Sequence, residues 1–259
     1  MLKSVRDKIK KVPFIGPFMY MLYLKAIYKD GRVVEIQQGQ LKGFKLHKFV
    51  RTVHDSFASG DYEIELQDAL AKDLKPGQTF YDVGANAGFF TLLGAKLVGG
   101  QGKVVAYEPH PMTAGQIRKQ LKLNHVSCAK VIVKAVADQE GEAEFTDDIS
   151  SDMLGLASLR DGKAAATIRV QLTDLDCEVA THGIPDLIKI DIEGAEVMAL
   201  KGMQDLLSNH SPVIYLELHG EDLAVECGEI LSGHGYQFEL LTGEKVEDLR
   251  EHRFVIVRK

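Results

Sequence analysis

Short apolar runs recur along this chain at residues 79–83, 103–107, 131–136, 187–192 and 213–218. Stretches of helical period, at 89–97 and 113–123, separate the first three. A strand that is apolar on successive residues must be covered on both faces. Strands alternating with helices achieve this through βαβ crossovers in a mostly parallel sheet. The pattern therefore predicts a Rossmann-like, doubly wound α/β domain. Two further runs, 236–241 and 254–257, flank a polar turn at Gly243 and predict an antiparallel hairpin strand that closes a seven-stranded sheet. A helix is expected over 62–74, stopped by Pro76-Gly77.

Upstream the pattern differs. Val33, Glu35, Phe44, Leu46 and Phe49 surround the glycine-bearing turn at 39–43 and suggest short extended segments. Before them, Lys3, Arg6, Lys8, Lys10 and Lys11 precede an apolar run at 14–24, with no small-residue cleavage site behind it. Two readings stay open for this run: a helix packed on the domain or on a second copy in a homodimer, or one lying on a membrane surface as a peripheral contact. No stretch reaches the ~18 consecutive apolar residues of a membrane span. The expected organisation is a helical and β extension over 1–59 followed by one catalytic-type domain over 60–259. Between 142 and 172, where Asp147, Asp148, Ser150, Ser151 and Asp152 cluster, a hairpin with a long loop is expected; the segment 147–159 is a candidate lid.

Charge and cysteine content narrow the function. The 31 basic and 37 acidic residues give a net charge of -6, without the clustered basic excess that nucleic-acid binding demands. A small molecule or a glycan fits better as partner. Cys128, Cys177 and Cys227 form no CxxC pair, so neither a zinc knuckle nor a disulfide framework is indicated, and free thiols imply a reducing, cytoplasmic setting.

The most informative segment runs from Tyr81 to Thr91, where a strand ends and a helix begins. Ligands in open α/β sheets bind at this carboxyl edge. Gly84 and Gly88 let the backbone approach a ligand closely, and Asp82 is placed to accept hydrogen bonds. The spacing Gly-x-Asn-x-Gly at 84–88 departs from the G-x-G-x-x-G of pyrophosphate cradles. At the next strand end, Glu108 is placed to take both hydroxyls of a ribose. Together the turn and the acid specify an adenosine-type ligand, without separating methyl transfer from hydride transfer.

A second polar constellation follows. Asp191, Glu193 and Glu196 stand where the fourth parallel strand leaves the sheet, and Lys189 is a cation inside an otherwise apolar strand. Glu217 and His219 share one face at the end of the fifth strand. Histidine beside carboxylates suits a general base. Asp191, Glu217 and His219 would equally suit a divalent cation.

In order and spacing, Val-Gly-Ala-Asn-x-Gly at 83–88, Glu-Pro at 108–109, Lys-Ile-Asp-Ile-Glu-Gly-Ala-Glu at 189–196 and Glu-Leu-His at 217–219 resemble the FkbM family of methyltransferases, a branch of the seven-stranded class I fold. The resemblance covers roughly residues 60–240. It implies S-adenosylmethionine held by Asp82, Gly84, Ala85, Asn86, Gly88, Glu108, Pro109 and Asp191. Asp138 is the expected acceptor for the adenine amine, and Asn124 is a weaker candidate near the same ligand. It also implies O-methylation of a hydroxyl on a sugar, glycan or small metabolite. His219 or Asp191 is then the expected proton acceptor, with Glu193 and Glu217 orienting substrate, base or metal. Two rivals remain: a non-catalytic ligand-binding descendant of the fold, and a nucleotide-dependent oxidoreductase.

Overall fold

The computed structural model describes residues 32–48, 55–146 and 167–259. The basic-apolar segment at the N-terminus and the candidate lid lie outside the described residues.

The chain opens with a hairpin, β1 (Arg32–Glu35) and β2 (Lys45–Lys48), then the short helix α1 (Asp55–Ser59) and α2 (Ile64–Asp73). Alternation follows: β3 (Thr79–Val83), α3 (Phe89–Val98), β4 (Lys103–Tyr107), α4 (Pro111–Leu123) and β5 (Ala129–Ile132). The middle of the chain holds β6 (Ala135–Val136), β7 (Gly141–Thr146), β8 (Thr167–Thr173), α5 (Leu175–His182) and β9 (Leu187–Ile190). Next come α6 (Glu196–Lys201), α7 (Gln204–Asn209), β10 (Val213–Glu217) and α8 (Glu221–Gly233). The chain closes with β11 (Gln237–Glu239), β12 (Lys245–Val246) and β13 (Phe254–Arg258).

The central sheet has the order β12-β11-β13-β10-β9-β3-β4-β5. Neighbouring strands from β10 through β9, β3 and β4 to β5 are all parallel, whereas β13 is antiparallel to both β10 and β11. This is the expected doubly wound arrangement with its antiparallel closing strand, extended by the two-residue β12 at the edge. Both faces are covered. On one lie Leu66 and Leu70 of α2, Leu92 and Leu93 of α3, Ile117 of α4, and Ile36, Leu41 and Leu46 from the first hairpin and its turn. On the other lie Leu175 of α5, Val197 of α6, Leu207 of α7 and Leu231 of α8. Each fully buried Leu or Ile contributes roughly 1.5–3 kcal/mol.

Strand periodicity sorts polar residues as well. Phe80 belongs to the first layer and Tyr81 and Val83 to the second, so Asp82 projects into the first, toward α3. Registers Asp82↔Lys189 and Tyr215↔Lys189 then put Asp82, Lys189 and, two residues beyond Tyr215, Glu217 on that face.

Two expectations change. The predicted strand at 131–136 is broken: β5 ends at Ile132, and β6 leaves the main sheet to pair in parallel with β8 in a three-stranded sheet, β6-β8-β7. Asn124, expected near the ligand, instead bonds the first hairpin. Its Oδ1 accepts from Lys45 N at 2.8 Å and its Nδ2 donates to Lys45 O at 2.7 Å. One helical turn earlier, Gln120 does the same with His47, at 2.8 and 2.9 Å. Side chains four apart on α4 thus satisfy the free edge of β2 as a neighbouring strand would.

Candidate active site

A cleft lies at the carboxyl edge of the parallel strands. Gly84 and Asn86 from the turn after β3 line it, with Tyr107, Glu108 and Pro109 from the end of β4. Asp191, Ile192 and Glu193 follow β9, and Glu217 ends β10. These are the strand ends at which the topology reverses direction, where α/β sheets open a crevice.

Hydrogen bonds from the end of β4 hold the glycine turn. The amides of Gly84 and Ala85 both donate to Tyr107 O, at 3.1 and 3.0 Å. Glu108 is 5% exposed; its Oε2 accepts from Asn86 N at 2.9 Å and its Oε1 from His110 N at 2.9 Å. Each carboxylate oxygen keeps a lone pair for a further donor. Burial pushes the Glu108 carboxyl up to about 7, against the lowering effect of those two amides.

The two glycines serve different ends. Gly84 has φ 82°, and a Cβ there would meet Asp191 O at 1.8 Å, so the turn and the strand end after β9 touch backbone to backbone. Gly88 (φ 80°) faces Ile117 of α4, whose Cγ2 a Cβ would meet at 2.9 Å. Its missing side chain lets α3 start against α4, and Gly88 does not line the cleft. Asp82 and Ala85 also lie behind the cleft wall. Asp82 is fully buried and accepts from Thr91 Oγ1 at 2.6 Å.

Asp138 is exposed and outside the cleft lining. Because β6 departs to the second sheet, the wall after β5 is made four to two residues earlier, by Lys134, Ala135 and Val136, with Phe145 of β7 beside them. Lys134 is held there by Glu178, 2.9 Å away.

The second constellation is brought together as expected, but each member is already engaged. Lys189 is 2% exposed; its Nζ lies 2.9 Å from Asp191 Oδ2 and 3.9 Å from Asp82 Oδ1. Burial opposes its charge, but these carboxylates outweigh that and raise its pKa. Burial likewise works against the Asp191 carboxylate, yet Lys189 holds it below the usual range. Glu217 accepts from Arg253 Nε at 2.6 Å. Beyond the end of β9 the chain turns through left-handed Glu193 (φ 52°) and Gly194 (φ 105°), and Glu196 Oε1 accepts from Gly194 N at 3.0 Å.

His219 sits among four carboxylates. Its Nδ1 is 2.7 Å from Glu196 Oε1; its Nε2 is 3.5 Å from Glu193 and Glu217 and 3.9 Å from Asp191. Burial pulls its pKa down, but the hydrogen bonds and charges of these acids push it up to about 10. At neutral pH the imidazole is therefore an imidazolium, a poor proton acceptor. Asp191, Glu217 and His219 each offer an atom within 4.8 Å of the others, close enough to share a cation. Lys189, Arg253 and the imidazolium proton already occupy that role, so a divalent ion would have to displace three cations.

Three contributors escape motif reading. Tyr62 and Arg253 line the cleft, and Glu63 lies 3.4 Å from Arg253. Tyr62 packs against Phe57, Phe89 and Phe90. The only sequence signal was their place at element boundaries. Arg253 reaches Glu217 because β10 and β13 pair Glu217 with Phe254.

A doubly wound sheet with an antiparallel closing strand, and a cleft at its switch point framed by a glycine turn and a buried strand-end acid, defines the class I methyltransferase fold. The chain belongs to the FkbM methyltransferase domain family, whose model matches residues 82–245. It is 28% identical over 221 residues to the 31-O-demethyl-FK506 methyltransferase FkbM of Streptomyces tacrolimicus, covering 70% of this chain and 83% of that one. Among solved structures, the methyltransferase FkbM of Methylobacillus flagellatus KT superposes with a TM-score of 0.50 at 16% identity, over 81% of this chain. This chain spans only 56% of that protein, so that likeness shows the fold alone. No helix among the described residues is long and apolar enough to cross a membrane.

Proposed function

We propose that this enzyme transfers a methyl group from S-adenosylmethionine to a hydroxyl of a sugar, glycan or small metabolite. The observation that carries this reading is Glu108, a buried carboxylate at the end of β4 on the cleft wall, oriented by two backbone amides and able to accept from a ribose diol. Gly84, Asn86 and Pro109 would flank the same cofactor, with Lys134, Ala135, Val136 and Phe145 forming the opposite wall. When bound, the cofactor supplies a methyl carbon already activated by its sulfonium.

The chain's own part is alignment and proton management. Asp191, Glu193 and Glu217 present carboxylates to the cleft beside Tyr62 and Arg253. Carboxylates next to an aromatic face suit a neutral, hydroxyl-bearing acceptor, since each can accept a hydrogen bond from a hydroxyl while the ring packs on its apolar side. His219, charged and held by Glu196, fixes Glu193 and Glu217 by charge.

Incubation with radiolabelled S-adenosylmethionine and a panel of hydroxyl acceptors tests this. The panel starts from 31-O-demethyl-FK506, the compound named for the Streptomyces relative, and methyl glucoside. Base-stable label in an acceptor supports O-methylation. Binding of NAD(H) in preference to S-adenosylmethionine would indicate an oxidoreductase, and cofactor binding without transfer to any acceptor would indicate a non-catalytic descendant.

A further inference from the structure

Each residue that the motifs offer as a proton acceptor is occupied. Asp191 is bound to Lys189 at 2.9 Å, Glu217 to Arg253 at 2.6 Å, and His219 to Glu196 at 2.7 Å. A methyl acceptor's hydroxyl proton needs another destination, and an unassigned one adjoins the cleft outside the matched family region.

Glu63 caps α2 in a left-handed conformation (φ 44°, ψ 52°), which a residue with a Cβ adopts only where its surroundings impose it. Its side chain is 14% exposed, and its Oε2 is buried without a hydrogen-bond partner among the described residues. Next to it, the Tyr62 phenol lines the cleft together with Asp191, Glu217 and Arg253. The Glu63 carboxylate lies close enough to that phenol to act on it by charge and by a side-chain hydrogen bond.

We propose that Tyr62 and Glu63 form a proton relay: Tyr62 accepts the hydroxyl proton of the methyl acceptor as its own phenolic proton passes to the Glu63 carboxylate. The inference rests on the methyltransferase reading and adds a route for the proton. In the step, the acceptor oxygen forms its bond to the methyl carbon as the sulfur–carbon bond breaks. The electron pair of the broken bond stays on sulfur as a neutral thioether, and the proton ends on Glu63. Charge balances: a carboxylate and a sulfonium are consumed, and a carboxylic acid, a thioether and an ether are formed.

The electrostatics around Glu63 fit. Burial, helped by Glu217 of β10 and Asp191 after β9 and opposed by Lys189 of β9 and Arg253 before β13, raises its carboxyl to about 7. A proton acceptor works best with a pKa near the working pH.

Glu63→Gln, Glu63→Asp and Tyr62→Phe, each first shown to bind S-adenosylhomocysteine, test the relay. They are assayed with labelled S-adenosylmethionine and 31-O-demethyl-FK506 or methyl glucoside. Glu63→Gln and Tyr62→Phe should each lower kcat by about 100-fold with KM little changed. The double variant should be no worse than the poorer single, and Glu63→Asp should restore part of the rate. In the wild type kcat should rise with pH through about 7, a limb that Glu63→Gln removes. A second measurement needs no acceptor: in protein carrying ¹³C-carboxyl glutamate, the resonance lost in Glu63→Gln should titrate near 7 and shift in Tyr62→Phe. Wild-type kcat in Glu63→Gln, a persisting pH limb, or a Glu63 titration near 4.5 that ignores Tyr62 would each overturn the relay. Loss of rate in Glu193→Gln alone would move the role to Glu193. A wild-type protein that binds no S-adenosylhomocysteine fails the methyltransferase reading instead.

Discussion

Lys189 Nζ stands 2.9 Å from Asp191 Oδ2 and 3.9 Å from Asp82 Oδ1, a buried cation between the two strand-end acids of β3 and β9. The pairing follows from register, since Asp82 faces Lys189 across the parallel ladder. It ties the strand that carries the glycine turn to the strand that carries the candidate catalytic acids. Replacing Lys189 with Met would leave the fully buried Asp82 without its counter-charge and deprive the partly exposed Asp191 of its nearest cation, and removing one partner of a buried charge set costs about 3–5 kcal/mol. Urea unfolding should show that loss, and adding Asp191→Asn to Lys189→Met should recover part of it. A Lys189→Met protein as stable as the wild type would mean that the ammonium is not needed to hold the two ends.

Gly84 and Gly88 should respond unequally to alanine. At Gly84 the new methyl meets the Asp191 carbonyl at 1.8 Å, backbone that cannot retreat without separating β3 from β9. At Gly88 it meets the side chain of Ile117 at 2.9 Å, which can rotate. Both positions also have positive φ, which carries its own cost of about 1 kcal/mol for alanine. Gly84→Ala should fail to fold or lose more than about 3 kcal/mol, and Gly88→Ala should lose roughly 1–3 kcal/mol. Thermal unfolding gives the ranking, and the reverse order would contradict the packing described.

Cofactor binding should depend on pH through Glu108. Its carboxyl titrates near 7 because burial penalises the charge, whereas a ribose diol needs the ionised form as acceptor. Protonation therefore competes with the ligand. Affinity for S-adenosylhomocysteine should rise between pH 6 and 8, changing by up to about tenfold per unit below the pKa. In Glu108→Gln the dependence should flatten, leaving any residual slope to other groups such as Glu63.

Chelation should leave methyl transfer unaltered. Asp191, Glu217 and His219 are close enough for a cation, but Lys189, Arg253 and the imidazolium proton neutralise them already. Activity lost on dialysis against a chelator and restored by Mg²⁺ would show that these side chains rearrange around an ion.

The parts of this architecture that were legible in sequence are those with local causes. The strands at 79–83 and 103–107 are found at those residues because largely apolar runs bounded by turns have one reading in an α/β pattern. Glu108 could be found because it ends such a strand. Asp138 stands outside the cleft lining for a non-local reason: β6 pairs with β8, which begins more than 30 residues later in the chain, and this carries the wall away from the main sheet. Tyr62, Glu63 and Arg253 were invisible as a group because nothing in their own neighbourhoods encodes the meeting. They converge only once β13 inserts beside β10 and α2 packs over the same end of the sheet. The charge state of His219 was equally hidden, since it depends on four acids from two segments.

Calorimetric titration with S-adenosylhomocysteine, of the wild type and of Glu108→Ala, tests the central claim most directly. Saturable heat is expected for the wild type. The variant should bind about 10–100-fold more weakly, the loss of roughly 1.4–2.8 kcal/mol expected when a charged acceptor is removed from a ligand diol. A wild-type protein that gives no heat, or a variant that binds as tightly as the wild type, would contradict the assignment of this cleft to the methyl donor.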